Sequence, residues 1–118
     1  MITDFGFFSV VASDPDPAML VVRGRVLGDL EGFVRKLGDP VKIIHTPTAD
    51  YRYRVVVSRE AVASVFYDSI VDIDYPNFKD NVERIQGSWR HDIYATVWVA
   101  LRQLCIRKPD VGSIRRRW

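Results

Sequence analysis

Residues 19–38, MLVVRGRVLGDLEGFVRKLG, change their hydrophobic period halfway along, and that change decides the fold. In the first half Leu20, Val22, Gly24 and Val26 fall on one side of an extended chain, with Val21, Arg23 and Arg25 on the other. Alternation at period two marks a half-buried strand, expected over Met19–Leu27. In the second half Leu30, Phe33, Val34 and Leu37 follow the i, i+3, i+4, i+7 spacing of a helix with one apolar stripe. Asp29 is expected to cap its first amides, Gly38 to take the left-handed turn past its end, and Pro40 to block continuation. Gly24 lies on the inward side, where a bulge or a close-packed helix would use it. Gly32 costs the helix up to about 1 kcal/mol against alanine, and close packing is the expected reason for it.

The flanking segments extend this strand–helix step. Residues 5–12, FGFFSVVA, read as a strand, and SDPDPA after them as a turn, so the first two strands form an antiparallel hairpin. Val41–Thr46 and Tyr51–Ser58 read as two more strands; in the latter Tyr51, Tyr53, Val55 and Val57 alternate with Arg52, Arg54 and Val56. Ser58 is a suitable N-cap for a second helix with the stripe Val62, Val65, Phe66 and Ile70, and Glu60 suits the positive end of its dipole. The order is ββαββα. Its second and third strands, joined through a helix, should be parallel with a right-handed crossover. The expected architecture is α+β: a four-stranded sheet, helices on one face, resembling a circularly permuted ferredoxin-like sandwich with two extra C-terminal helices.

Those extra helices occupy DIDYPNFKDNVERIQGSWRHDIYATVWVALRQLC, residues 72–105. Tyr75-Pro76-Asn77 starts the first, whose stripe is Phe78, Val82 and Ile85; Gly87 ends it, and Ser88 is placed to cap the second. At 100° per residue Ile93, Tyr94, Val97, Trp98, Leu101, Leu104 and Cys105 gather on one broad face, as in a core. Arg90 projects onto that face, and an unpaired charge there is very costly. Asp72 and Asp74 are its nearest acidic candidates in chain order, so a polar knot of Arg90 and Arg84 with that turn is expected. A structural ion-pair network is the simpler account; a recognition pocket lined by Tyr75, Lys79, Arg90, His91 and Tyr94 is the sharper one. Trp89 leaves the main stripe, and tryptophan is a frequent interface anchor.

Composition bounds the rest. The chain has 118 residues, 47% hydrophobic and 27% charged, enough for one domain, expected over 1–106 with a basic tail over 107–118. The tail holds Arg107, Lys108, Arg115, Arg116 and Arg117 against Asp110, a net +4; the whole chain is +2, so residues 1–106 carry −2. No apolar run reaches the roughly 18 residues of a membrane span, and the N-terminus lacks a secretory signal's basic segment, so a cytoplasmic protein is expected.

The segments TDFGFFSVV (3–11), VVRGRVLGDLE (21–31) and IDYPNFKDNVERIQGSWRHDIYATVW (73–98) resemble a family of small uncharacterised bacterial proteins. The resemblance spans most of the chain and implies a bacterial, cytoplasmic, stand-alone protein. It carries no activity, ligand or functional residue.

Catalytic and cofactor signatures are weak. His45 and His91 stand in no metal-ligand motif, and Asp72-Ile73-Asp74 is more simply an acidic turn. Cys105 lies on the apolar stripe as a small core residue. No serine sits in a nucleophile elbow, and no phosphate-binding or dinucleotide glycine frame occurs. An enzyme would have to draw on Asp72, Asp74, Arg90 and His91; the expectation leans away from catalysis, with no cofactor and no metal. Two binding readings remain. The first is a protein-binding module, for another protein or for itself, using Trp89, Arg90, His91, Tyr94, Tyr75 and Lys79. The second is RNA or DNA binding through Arg23, Arg25, Arg52 and Arg54 on one sheet face, with Arg115, Arg116 and Arg117 in the tail. Against the second, Tyr51 and Tyr53 alternate away from the arginines, whereas base-stacking sheets expose their aromatics.

Overall fold

A computed structural model of the chain describes residues 1–106. It contains β1 (Ile2–Thr3), β2 (Gly6–Phe7), β3 (Ser9–Ala12), β4 (Met19–Gly24), α1 (Leu27–Leu37), β5 (Ile44–His45), β6 (Tyr53–Ser58), α2 (Arg59–Val71), α3 (Phe78–Gln86), α4 (Ser88–Leu101) and the single turn α5 (Gln103–Ile106). The class is α+β, and the chain divides into two compact units, Met1–Pro76 and a second that starts at Asn77.

In the first unit the main sheet is antiparallel throughout, in the order β3-β4-β6-β5. The segments joined through α1, β4 and β5, both run antiparallel to β6, so they point the same way with β6 between them. Register places Val22 opposite Val55 and Leu20 opposite Val57, with Gly24 opposite Tyr53. That side packs against α1 and α2, where Phe8, Val22, Leu30, Phe33, Val55, Val57, Val62 and Val65 form one buried cluster. Four phenylalanines, Phe5, Phe8, Phe33 and Phe66, fill its centre with ring centroids 5.2 to 6.3 Å apart in tilted and edge-on pairs, the arrangement ring quadrupoles favour.

Several local expectations hold. Gly24 is inward because a Cβ there would lie 2.3 Å from the Leu30 Cδ2 atom. Gly38 closes α1 at φ 80°, its amide donating to the Arg35 carbonyl. Ser58 caps α2, its hydroxyl accepting from the Ala61 amide at 3.2 Å.

Others are corrected. The strand expected over 5–12 is broken at Phe8: β2 pairs with β1 and only β3 joins the main sheet. Asp29 does not cap α1. It lies in the first turn, is buried, and accepts a hydrogen bond from the Phe7 amide at 3.1 Å, tying the β1–β2 hairpin to the helix. Gly32 is not closely packed, since a Cβ there would meet only the Arg35 guanidinium at 3.6 Å. Ile70 is off the α2 stripe and 68% exposed.

In the second unit Asn77 caps α3 by accepting from the Asp80 amide at 3.3 Å, so Pro76 lies outside the helix. Gly87, at φ 92°, is both the end of α3 and the N-cap of α4. Ser88 is the first residue of α4 and makes no capping bond. The Phe78 ring meets Trp98 edge-on with centroids 5.8 Å apart, which brings the start of α3 to the late part of α4 and makes the pair an antiparallel hairpin.

Candidate functional site

Two surfaces carry the residues singled out in the sequence, one in each unit. In the helical unit the side of α4 facing α3 is built on Arg90 and Tyr94, buried to 6% and 3% exposure, with Asn81 and Val82 buried on α3. Arg90 Nη1 donates to Gln86 Oε1 at 2.8 Å and to the Tyr94 hydroxyl at 3.2 Å, and its guanidinium lies 4.8 Å from the Trp89 ring centroid. Arg84 donates to Asn81 Oδ1, one turn back on its own helix. The Arg90–Gln86 bond joins α4 to the end of α3; Asp72 and Asp74, the anticipated acidic partners, belong to the first unit and are exposed. Asp72 is the C-cap of α2.

The broad apolar face expected to be core is core only along one edge. Ile93, Leu101 and Leu104 are at least half exposed, Cys105 is exposed rather than buried, and Ile85 and Trp89 stand 50% and 55% open. The apolar arc of α4, from Trp89 through Ala100, Ile93, Val97, Leu101 and Tyr94 to Trp98, covers roughly 180° of the helix at 100° per residue. One neighbouring helix cannot cover so wide an arc. What remains open is the Trp89, Ile93, Ala100 side, continued by Leu104.

Of the six residues expected to meet a partner, Trp89 is the exposed apolar one, while Arg90 and Tyr94 are buried. Lys79 places its ammonium 5.1 Å from the Trp98 ring centroid. His91 is half-buried, with Nδ1 3.3 Å from Asp92 Oδ1. Tyr75 lies in the first unit, where burial first, and then Asp4 and Asp74, push its phenol above the ordinary range. Ile85, Ile93, Leu101 and Leu104 were absent from that set because an apolar residue in phase with a stripe reads as core. The width of the arc, and Arg90 within it, are the sequence signals that the face is not all interior.

The second surface is the outer side of the main sheet, opposite α1 and α2. Register sets Arg23 directly across from Arg54, with Ser9 and Ile44 completing that row and Val11, Val21 and Val56 forming the next. Arg23 Nη2 donates to Ser9 Oγ at 2.7 Å, and Arg54 Nη2 to the Tyr51 carbonyl at 3.2 Å. The Nε–H groups of both are shielded from solvent and meet no acceptor. Arg25 pairs with Asp50 at 2.9 Å, and that hydrogen bond raises its pKa. Tyr53 does turn inward and stacks on His45 at 4.9 Å. Tyr51 does not: it precedes β6, leaves the alternation, and lies under Arg23 and Arg25 at 4.8 and 4.1 Å.

Among the described residues no three His, Cys, Asp or Glu side chains are grouped to hold a metal ion, and no helix is long and apolar enough to cross a membrane. Arg115, Arg116 and Arg117 lie outside the described residues. Comparisons with family models, with curated proteins and with solved structures find no match.

Proposed function

We propose that this is a non-catalytic protein-binding module whose docking surface is the open apolar side of α4, and that it docks on the same surface of a second copy. One observation carries the reading. The described helical unit buries only two apolar side chains, Val82 and Tyr94, while Ile85, Trp89, Ile93, Val99, Leu101 and Leu104 stay open. An antiparallel helical hairpin with one uncovered apolar side is half of a four-helix bundle. The exposed side chains along that side, Trp89, Ile93, Ala100 and Leu104, carry no charge, so the surface complements itself about a two-fold axis without like-charge clash. Trp89 is the anchor, and Arg90 beneath it fixes the ring by cation–π contact and the hairpin by its bond to Gln86.

The ββαββα order and the β3-β4-β6-β5 sheet support a permuted ferredoxin-like first unit as the scaffold. The family resemblance of the sequence supports a bacterial, cytoplasmic setting. Sedimentation equilibrium tests the binding role: the wild type should show a monomer–dimer equilibrium, and Trp89→Ala should weaken it at least tenfold with the fold intact. A wild type that stays monomeric at high micromolar concentration removes self-association.

A further inference from the structure

We infer that the outer face of the main sheet binds single-stranded nucleic acid, phosphates on its arginine row and bases on its valine row. Like charges directly opposite on neighbouring strands destabilise a sheet, yet Arg23 and Arg54 occupy such a pair. None of β3, β4, β5 or β6 contains an acidic residue. Arg25 follows Arg23 past the end of β4, and Arg52 precedes Arg54 before β6, extending the pair toward four guanidiniums. Among the described residues Asp50 is the one carboxylate bonded to any of them, and it is an exposed partner of Arg25. Such an exposed pair is screened by water and holds little of the charge in place.

The side chains are also set in advance. Arg23 is held by Ser9 and by the Tyr51 ring, and Arg54 by the Tyr51 carbonyl. Each spends one of its five N–H donors on the protein in doing so, and a guanidinium ordered beforehand loses less entropy on meeting an anion. Residues two apart on a strand are roughly 7 Å apart and neighbouring strands about 4.8 Å. A grid of that size meets successive phosphates of an extended strand.

The neighbouring row selects the ligand. Val11, Val21 and Val56 form a flat apolar strip beside the arginines, with Val11 and Val56 39% and 38% exposed. A single strand presents phosphates on one side and unstacked bases on the other, matching a charged row beside an apolar one. A duplex hides its bases and matches only the charged row. A second copy of this face is disfavoured, because it would set arginine against arginine.

Fluorescence polarisation of the full chain with a labelled mixed-sequence single-stranded RNA of about twelve nucleotides tests the inference. With four phosphates engaged, log K should fall with log salt at a slope of about −3, at about 0.7 per phosphate. Arg23→Ala/Arg54→Ala should lose more than 30-fold and the exposed Arg52→Ala three- to tenfold, while Arg115→Ser/Arg116→Ser/Arg117→Ser keeps this slope component. If the double variant fails to fold by circular dichroism, Arg52→Ala decides alone. The inference is overturned by no binding at low salt, by duplex or an acidic peptide binding as tightly as the single strand, or by loss confined to the tail variant.

Discussion

The two units of this chain solve the problem of burial in opposite ways. The first packs eight side chains, all aliphatic or aromatic, between a sheet and two helices, and leaves its arginines outside. The second places an arginine and an asparagine in its interior beside Val82 and Tyr94, and leaves Ile85, Trp89, Ile93, Val99, Leu101 and Leu104 outside. Burying hydrocarbon contributes about 25 cal/mol per Å², so the first unit has the means to hold itself together. The second relies on hydrogen bonds, each worth only about 1 kcal/mol net, and leaves much of its apolar surface open. On the proposed reading, stability and binding fall to different lengths of chain.

The sharpest way to break this contrast is to damage the core that carries stability. Phe33→Ala removes a fully buried ring that meets both Phe8 and Phe66, and should lower unfolding free energy by about 3–5 kcal/mol in urea. A loss below 1 kcal/mol would mean the cluster is not the mainstay. Gly24→Ala pushes a methyl group into Leu30 and should cost about 1–3 kcal/mol. Adding Leu30→Val should then cost less than it does alone, since it vacates the colliding methyl; strict additivity would contradict that contact. Tyr94→Phe deletes one acceptor of Arg90 and should cost about 1–2 kcal/mol, with Gln86 retained. Smallest of all, Trp89→Ala should move stability by about 0.5–1 kcal/mol when measured on the monomer, the worth of its cation–π contact with Arg90. A large loss there would place Trp89 in an interior and dissolve the distinction between the units.

The sheet unit was largely legible in the sequence because its two periods are unambiguous. Met19–Gly24 alternates, Leu30–Leu37 repeats at helical spacing, and Gly38 and Ser58 carry the capping chemistry their positions need. Asp29 misled because an acidic residue at a helix start has two uses. It can cap its own helix, or, as here, hold a distant amide, and only tertiary structure brings Phe7 to it. Tyr51 misled because strand alternation applies only within a paired strand, and the pairing starts at Tyr53. The helical surface misled for a deeper reason. Phase tells which residues share a face but not how much of that face a neighbour covers, so Ile93, Leu101 and Leu104 read the same as Tyr94.

We propose that α4 is the part of the molecule that association completes. Amide hydrogen exchange across a hundredfold range of protein concentration measures this residue by residue. Amides of β4 and β6 should be well protected already at the lowest concentration, while those from Ile93 to Leu101 gain protection steadily as concentration rises. Protection in α4 that is the same at every concentration would contradict the account.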